Sequence, residues 1–399
     1  MIKVLHFVST PSIGSGVMSV IMNYYRHMDR SKIQFDFLCF IPCEDSYEKE
    51  INGLGGRVFF ISIPGFSAKA FRSLWSFFRS HQGEYQWLHN HEVYLSFLLK
   101  PLSHCCRIPG FIIHSHATQY SDRAAAAARN RILCMPIRFM RCEKLACSYA
   151  AGSFLYGKAA MKTGHVKVLY NAVDSGQFQF DAAKRKMLRL RFGITDDELV
   201  LGHIGRFAPQ KNHAFLLDIF KACQQAVSRY KPAFRCRLLC IGDGPLMGQM
   251  REKASQLGLS DKILFLGQRS DVPDLLNLMD VFLLPSFFEG SPVSLVEACC
   301  NGLSCVISDT IQWEVPSEQV YALSLQASVE SWADKALELA QEGRREGKIP
   351  ASFDIREQAQ KLAAIYQSPY KLQAPAYSKK MRKNRTRLPK PERPGHHQI

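Results

Sequence analysis

Short apolar runs alternate with longer amphipathic stretches along most of this chain, and the alternation restarts once. In the first half the runs are KVLHFVS, QFDFLCF, GRVFFISI, QWLHN, GFIIHSHA, KLACSY and VKVLYNAV, with helical patterns over residues 18–26, 68–80 and 123–141. The second half brings LVLGHIGRF, RCRLLCIGDG, KILFLGQ, VFLLPS and CVISD, with helical patterns over 213–230, 246–257, 272–279 and after Pro292. Runs that are apolar on both faces fit parallel strands covered by helices on either side. Two such series in succession predict an α/β architecture of two doubly wound domains, and 399 residues suffice for both.

The rhythm lapses at NAVDSGQFQFDAAKRK, residues 171–186. The expected organisation is a first domain over 1–170 and a second over 171–350. A last amphipathic helix over 351–370 is expected to pack back toward the first domain. The remainder, 371–399, has the polar, basic composition of a disordered tail.

Thirteen cysteines, an odd number without any C-x-x-C, fit a reducing compartment better than a disulfide framework or a zinc site. No uncharged apolar run is long enough to span a bilayer, and MIKVLHFVST lacks the apolar core of a secretion signal. The expectation is a cytoplasmic protein. The net charge of +16 is partly local, with eight Lys or Arg against Glu392 between residues 379 and 393. Its partner could be nucleic acid, an anionic membrane or an anionic small substrate.

The stretch SFFEGSPVSLVEACCNG, residues 286–302, carries the most chemistry. Ser291 is the expected N-cap, Pro292 the first helical residue and Asn301-Gly302 the stop. Glu289 then lies on a loop at a strand's carboxyl end, where open α/β sheets bind ligands, and Glu297 lies inside the helix. Amides of Gly290 and Ser291 favour phosphate, whereas carboxylates accept from sugar hydroxyls. Together they point to a sugar nucleotide. An early Glu that merely complements the helix dipole is the plainer reading.

In GHIGRFAPQKNHAFLLDIF, Arg206 and Lys211 flank one strand-to-helix loop and suit a diphosphate, though solvated surface cations read the same way. IGDGP, with Gly242, and FLGQRSDVPDLL, with Gly267 and Gln268, mark two further strand ends. In PSIGSGVMSVIMNYYR, Gly14 and Gly16 permit close approach of a phosphate or sugar. His89 and His91 share one strand face, as do His114 and His116. His91 and His116 come later in their strands and are better placed to meet a ligand. A metal site is conceivable, but no third-ligand pattern stands out, and none is expected.

Taken together, these motifs resemble the retaining glycosyltransferases of family 4, the group 1 glycosyl transferases, over essentially the whole length to about residue 370. The carriers are E-x7-E (Glu289 to Glu297), G-R-x4-K (Gly205-Arg206 to Lys211), NAVD (171–174), IGDGP and FLGQRSDVPDLL, in the family's order. MNYYRHMDRSKIQFDF resembles the bacterial capsule and exopolysaccharide subgroup. The resemblance implies the GT-B fold, two Rossmann-like doubly wound domains facing across a cleft. It implies transfer of a hexose or N-acetylhexosamine from a nucleotide sugar, UDP-linked, to a saccharide or lipid-linked saccharide.

By the same resemblance, Arg206 and Lys211 hold the donor diphosphate, Glu297 the ribose and Glu289 the transferred sugar. Gly290, Ser291 and Pro292 give close contact to the donor, with Gly205, Gly242, Gly267 and Gln268 around it and Gly16 near the phosphate from the other domain. His116 meets the reacting sugar, and His91 and Ser15 lie on the acceptor side. Transfer is expected without metal or cofactor, since no D-x-D occurs, by front-face attack with the leaving phosphate taking the acceptor's proton. The chain departs from the pattern at Ser15-Gly16-Val17-Met18, where a second Gly and an acid are usual, and at Ala172.

AKAFRSLWSFFRS and RNRILCMPIRFMR mix Arg with large apolar residues, as helices at an anionic membrane face do; core-packed helices with solvated Arg would read alike. The basic tail adds attraction to anionic lipid or serves only solubility. The rival functions are a non-catalytic sugar-nucleotide-binding protein, a sugar-nucleotide epimerase and an NAD(P)-dependent oxidoreductase. A nucleic-acid binder rests on net charge alone, and no specific nucleic acid is expected.

Overall fold

The computed structural model describes residues 1–64, 67–121, 123–230, 235–314 and 318–368; the basic tail lies outside the described residues. The first sheet contains β1 (Ile2–Phe7), β2 (Ile33–Cys39), β3 (Val58–Phe60), β4 (Trp87–Asn90), β5 (Gly110–Ser115), β6 (Glu143–Ala146) and β7 (Lys167–Val168), in the order β3-β2-β1-β4-β5-β6-β7. The second contains β8 (Glu198–Ile204), β9 (Arg235–Ile241), β10 (Ile263–Phe265), β11 (Val281–Leu284), β12 (Ser304–Ser308) and β13 (Val320–Leu323), in the order β10-β9-β8-β11-β12-β13. All pairings between these strands are parallel. In each sheet the strand order reverses beside the first strand, between β1 and β4 and between β8 and β11. Such switch points open a crevice at the carboxyl ends of the strands.

The alternating runs behave as their composition dictates. In β2, Ile33, Phe35 and Phe37 enter the core under the helix Gly16–Arg26, while Leu38 joins the core on the opposite face. One strand unnamed in the sequence reading is β13, VYAL. It is an edge strand with no fully buried residue, so its apolar pattern is weak. The helix Val329–Glu342, which buries Trp332, Ala336 and Leu337, went unnamed with it.

After the second sheet the chain returns to the first. Val173 and Asp354 pair as an isolated parallel bridge, with Val173 donating to Phe353 O and Ile355 donating to Val173 O, each at 3.0 Å. The last helix, Ile355–Gln367, starts at Asp354, whose carboxylate accepts from Arg356 N at 2.8 Å. Its stripe Ile355, Ala359, Leu362 and Tyr366 is buried in the first sheet's core. Trp87 Nε1 on β4 donates to Tyr366 O at 2.9 Å.

Candidate active site in the cleft between the sheets

Strand β11 is buried at every residue and delivers the chain into the loop that carries Glu289. The helix beyond it runs Val293–Cys300, and its N-cap is Pro292, without a side-chain cap. The expectation that Ser291 caps this helix is therefore corrected. Pro292 holds extended backbone (φ −71°, ψ 111°), which starts the helix one residue late and puts Ser291 outside the capping position. The helix's first amides are thus left without a side-chain acceptor, as a phosphate site needs. The stop at Asn301-Gly302 is as expected, with Gly302 at φ 81°.

Glu289 is 8% exposed. Its Oε1 lies 2.7 Å from Lys211 Nζ, and its Oε2 accepts from Gln210 Nε2 at 3.1 Å. Gln210 also donates to Phe288 O, and Phe287 N donates to Gln210 O, so the loops after β8 and β11 are stitched together. The sequence assigned Lys211 to diphosphate and Glu289 to sugar; the structure joins them to each other. Arg206, at the end of β8, is exposed. Glu297 is half-buried on the helix, and burial pushes its carboxyl up to about 7.

Three glycines form the floor. Gly205 N donates to Ile241 O at 2.9 Å, and Gly242 N donates to Gly267 O at 2.8 Å. Gly242 has φ 130°, and a Cβ there would stand 2.1 Å from Gly205 O, so this layer of strand ends tolerates no side chain. Gln268 adjoins Gly267, and the nearest atom to a Cβ placed on Gly14 is its Oε1, at 2.9 Å. The first domain's glycine loop therefore reaches the second domain's Gly267-Gln268 loop. Gly16 opens its helix with free space where a side chain would be. Ser15, placed on the acceptor side by sequence, caps that helix by accepting from Met18 N at 3.3 Å.

Across the cleft, three successive carbonyls of the Glu289 loop receive hydrogen bonds from the first domain and its junction. Thr118 Oγ1 donates to Glu289 O (3.1 Å), Ser148 Oγ to Gly290 O (2.6 Å) and Asn171 Nδ2 to Ser291 O (2.7 Å). A Cβ on Gly290 would lie 2.1 Å from His116 O. Glu314 Oε1 accepts from Ala150 N at 2.8 Å, a further contact between the domains. The sequence reading singled out none of Thr118, Ser148 or Glu314. Asn171 was visible only as the first residue of NAVD.

The predicted histidines belong to a larger set. His6 is level with His89 across β1 and β4 and shares its face. His6 Nδ1 lies 3.0 Å from His91 Nε2, His91 Nδ1 lies 2.8 Å from His116 Nε2, and His89 Nε2 lies 3.2 Å from His114 Nδ1. His89 Nδ1 lies 2.6 Å from the Tyr366 hydroxyl. Burial lowers all five pKa values, His6 and His116 to about 3, so the rings are neutral at neutral pH. His116 is the one ring of the five that is only partly buried, and it stands at the cleft.

Residues 198–342, which include β8 to β13, match the family described as "Glycosyl transferases group 1". EpsF of Bacillus subtilis (strain 168), which carries a glycosyltransferase name, is 32% identical over 384 residues, covering 91% of this chain and 96% of EpsF. The chain belongs to the group 1 glycosyltransferases. An Escherichia coli enzyme, UDP-Gal:alpha-D-GlcNAc-diphosphoundecaprenol alpha-1,3-galactosyltransferase, is 30% identical to this glycosyltransferase over 145 residues, 36% of each chain. The fold is GT-B: HepE of Anabaena, solved with UDP and glucose, superposes with a TM-score of 0.72 at 17% identity over 92% of this chain and 99% of HepE. The family match takes in Arg206, Lys211, Glu289 and Glu297, whereas Gly16, His91 and His116 precede it.

Proposed function

We propose that this glycosyltransferase moves a hexose or N-acetylhexosamine from a UDP-sugar to a saccharide on a lipid carrier, with retention at the anomeric carbon, in the assembly of a cell-surface polysaccharide. The observation that carries this reading is the convergence of Lys211, Glu289, the uncapped helix start and Glu297 on one sheet edge, closed over by the strand end that bears His116. The E. coli relative's named donor and diphosphoundecaprenol acceptor and the UDP and glucose bound by HepE support the choice of substrates.

In this reading, Arg206 and Lys211 bind the diphosphate and offset the charge that grows on it as the anomeric C–O bond breaks. Helix amides beyond Pro292 take a phosphate oxygen. Glu297 accepts from the ribose, Glu289 from the sugar, and the His116 side of the cleft positions the sugar ring. The acceptor oxygen attacks the face the phosphate leaves, and its proton passes to a departing phosphate oxygen. Glu289 is a poor candidate nucleophile, because Lys211 and Gln210 hold both its oxygens. No metal on the diphosphate is required, since the cations and amides supply the positive charge.

The enzyme works in the cytoplasm at the inner face of the membrane. Ile132, Met135 and Phe139 are 66–88% exposed beside exposed Arg131 and Arg138, the composition of a surface that enters lipid headgroups. Among the described residues, no helix is long and apolar enough to cross a membrane.

The test is a binding and hydrolysis panel of UDP-, GDP- and ADP-sugars without added metal, on the full chain and on Glu297→Ala and Lys211→Ala. A UDP-sugar should bind, and both substitutions should weaken it. Failure of every sugar nucleotide to bind would overturn the assignment of the site.

A further inference from the structure

Five histidines stack on one face of the first sheet: His6 on β1, His89 and His91 on and just after β4, and His114 and His116 on and just after β5. The transfer chemistry uses at most the one at the cleft. We propose that His91, His114 and His116 form a binding site for a late transition-metal ion of the Zn²⁺ class, opening on the cleft.

One nitrogen from each of these three rings can be chosen so that all lie within 4.8 Å of one another. Three imidazoles with a fourth position open to water is a recurrent arrangement for such an ion. Ring centroids are 4.1 Å apart for His114 and His116, 5.0 Å for His91 and His116, and 5.5 Å for His91 and His114. Adjacent parallel strands β4 and β5 fix the backbone that leads into these rings. His114 is 2% exposed, and its Nε2 has no hydrogen-bond partner. An unpaired polar atom in such a place is costly unless something occupies it.

The ligand chemistry narrows the ion. The cavity is closed by Val20, Ile21, Tyr24, Phe35, Leu169 and Leu362, with no carboxylate or thiol among its lining residues. A purely imidazole set suits Zn²⁺, Cu²⁺, Ni²⁺ or Co²⁺ and rejects Mg²⁺ and Ca²⁺, which need oxygen ligands.

A second triad, His6, His89 and His91, likewise offers one nitrogen per ring within 4.8 Å of the others. All three of its rings are buried, so a divalent ion there would lack both an entry path and a counter-charge. The outer triad has His116 at the cleft, where hydroxide or an anionic ligand can complete the shell. His91 Nδ1 and His116 Nε2 are 2.8 Å apart, whereas two nitrogens on one tetrahedral Zn²⁺ are about 3.3 Å apart. Binding must part these two nitrogens slightly.

Metal at this site occupies His116. If His116 positions the sugar, as the proposed function holds, then Zn²⁺ and donor oppose each other and the ion inhibits transfer. That coupling rests on the functional reading; the binding itself does not.

The experiment uses the full chain stripped with chelator. Zn²⁺ is measured by equilibrium dialysis, and Co²⁺ serves as a probe whose visible absorption reports tetrahedral coordination. The expected result is one equivalent bound, a tetrahedral Co²⁺ spectrum, loss of both in His116→Gln and His114→Phe, and retention in His6→Phe. Circular dichroism checks each variant. If His114→Phe does not fold, His116→Gln, at the partly exposed ring, decides. Absence of bound metal in the parent chain, or metal kept by His116→Gln, overturns the proposal. Loss in His6→Phe with retention in His116→Gln would place the ion in the inner triad and equally overturn it.

Discussion

Lys211 Nζ and Glu289 Oε1 are 2.7 Å apart at the rim of the second sheet, with side chains only 15% and 7% exposed. A carboxylate this buried needs its partner, so removing the lysine strands a charge. Lys211→Met should destabilise the fold and weaken sugar-nucleotide binding, whereas adding Glu289→Gln should restore stability without restoring binding. A double-mutant cycle by chemical denaturation should give a coupling of about 1–3 kcal/mol. A coupling near zero would mean that the pair is solvent-screened and does not organise the site.

Glu297 titrates where its function can be watched. Burial raises its carboxyl from the ordinary 4.5 to about 7. The folded pKa lies above the unfolded one, so the contribution to stability is fully present below about 4.5. It is lost as pH rises and the loss is complete above about 7. Glu297→Gln should therefore flatten the fall in stability between those pH values. If the ionised carboxylate holds the ribose, UDP-sugar affinity should rise with pH through about 7 in the parent and stay flat in Glu297→Gln. Isothermal titration across pH 5.5–8.5, roughly bracketing that midpoint, reads both. A parallel profile in the two proteins would remove Glu297 from the ribose.

The Glu289 loop is held shut from the first domain, and Gly290 is its tightest point. A Cβ there would lie 2.1 Å from His116 O, a backbone atom that cannot swing aside. Gly290→Ala should push the domains apart, seen as a larger radius of gyration by small-angle scattering, and lower donor turnover at least about tenfold through lost alignment. Ser148→Ala is the milder companion. Ser148 Oγ donates to Gly290 O and also caps the helix Tyr149–Tyr156 by accepting from Ala151 N, so its loss should cost about 1–2 kcal/mol in a thermal melt. Unchanged scattering in Gly290→Ala would show that the contact does not set the closed form.

These contacts mark what a sequence can and cannot disclose. The two-sheet plan was legible because strands buried on both faces are mostly apolar, as VFLL of β11 is throughout and IQFDFLC of β2 is apart from Gln34 and Asp36. The positions of Arg206, Lys211 and Glu289 after strand ends, and of Glu297 in the following helix, could be read from sequence because charge beside an apolar strand is conspicuous. What was hidden is pairing across long sequence separations. Nothing in SYAAG tells that Ser148 will meet Gly290, 142 residues away. Nothing in VLHFV tells that His6 will meet His91, because register between strands is set by the whole sheet. Ser291 was misread for a local reason: Pro292 fits either the first helical residue or the cap, and its extended ψ decided for the cap.

The exposed apolar side chains near residue 135 make the last prediction. Ile132 is 67% exposed, Met135 66% and Phe139 88%, all close to Arg131 and Arg138. In water these rings and chains gain nothing from exposure, while burying one fully in lipid yields about 1.5–3 kcal/mol. Each Arg near an anionic surface adds about 1 kcal/mol, screened by salt. The full chain should co-sediment with phosphatidylglycerol vesicles and far less with neutral phosphatidylcholine. Ile132→Ser with Phe139→Ser should weaken that binding at least about tenfold at low salt. Arg131→Gln with Arg138→Gln should instead reduce its salt dependence. The basic tail is a second source of attraction, so the same substitutions must act in a chain ending at residue 370. If only tail removal abolishes binding, the apolar surface is not the membrane contact.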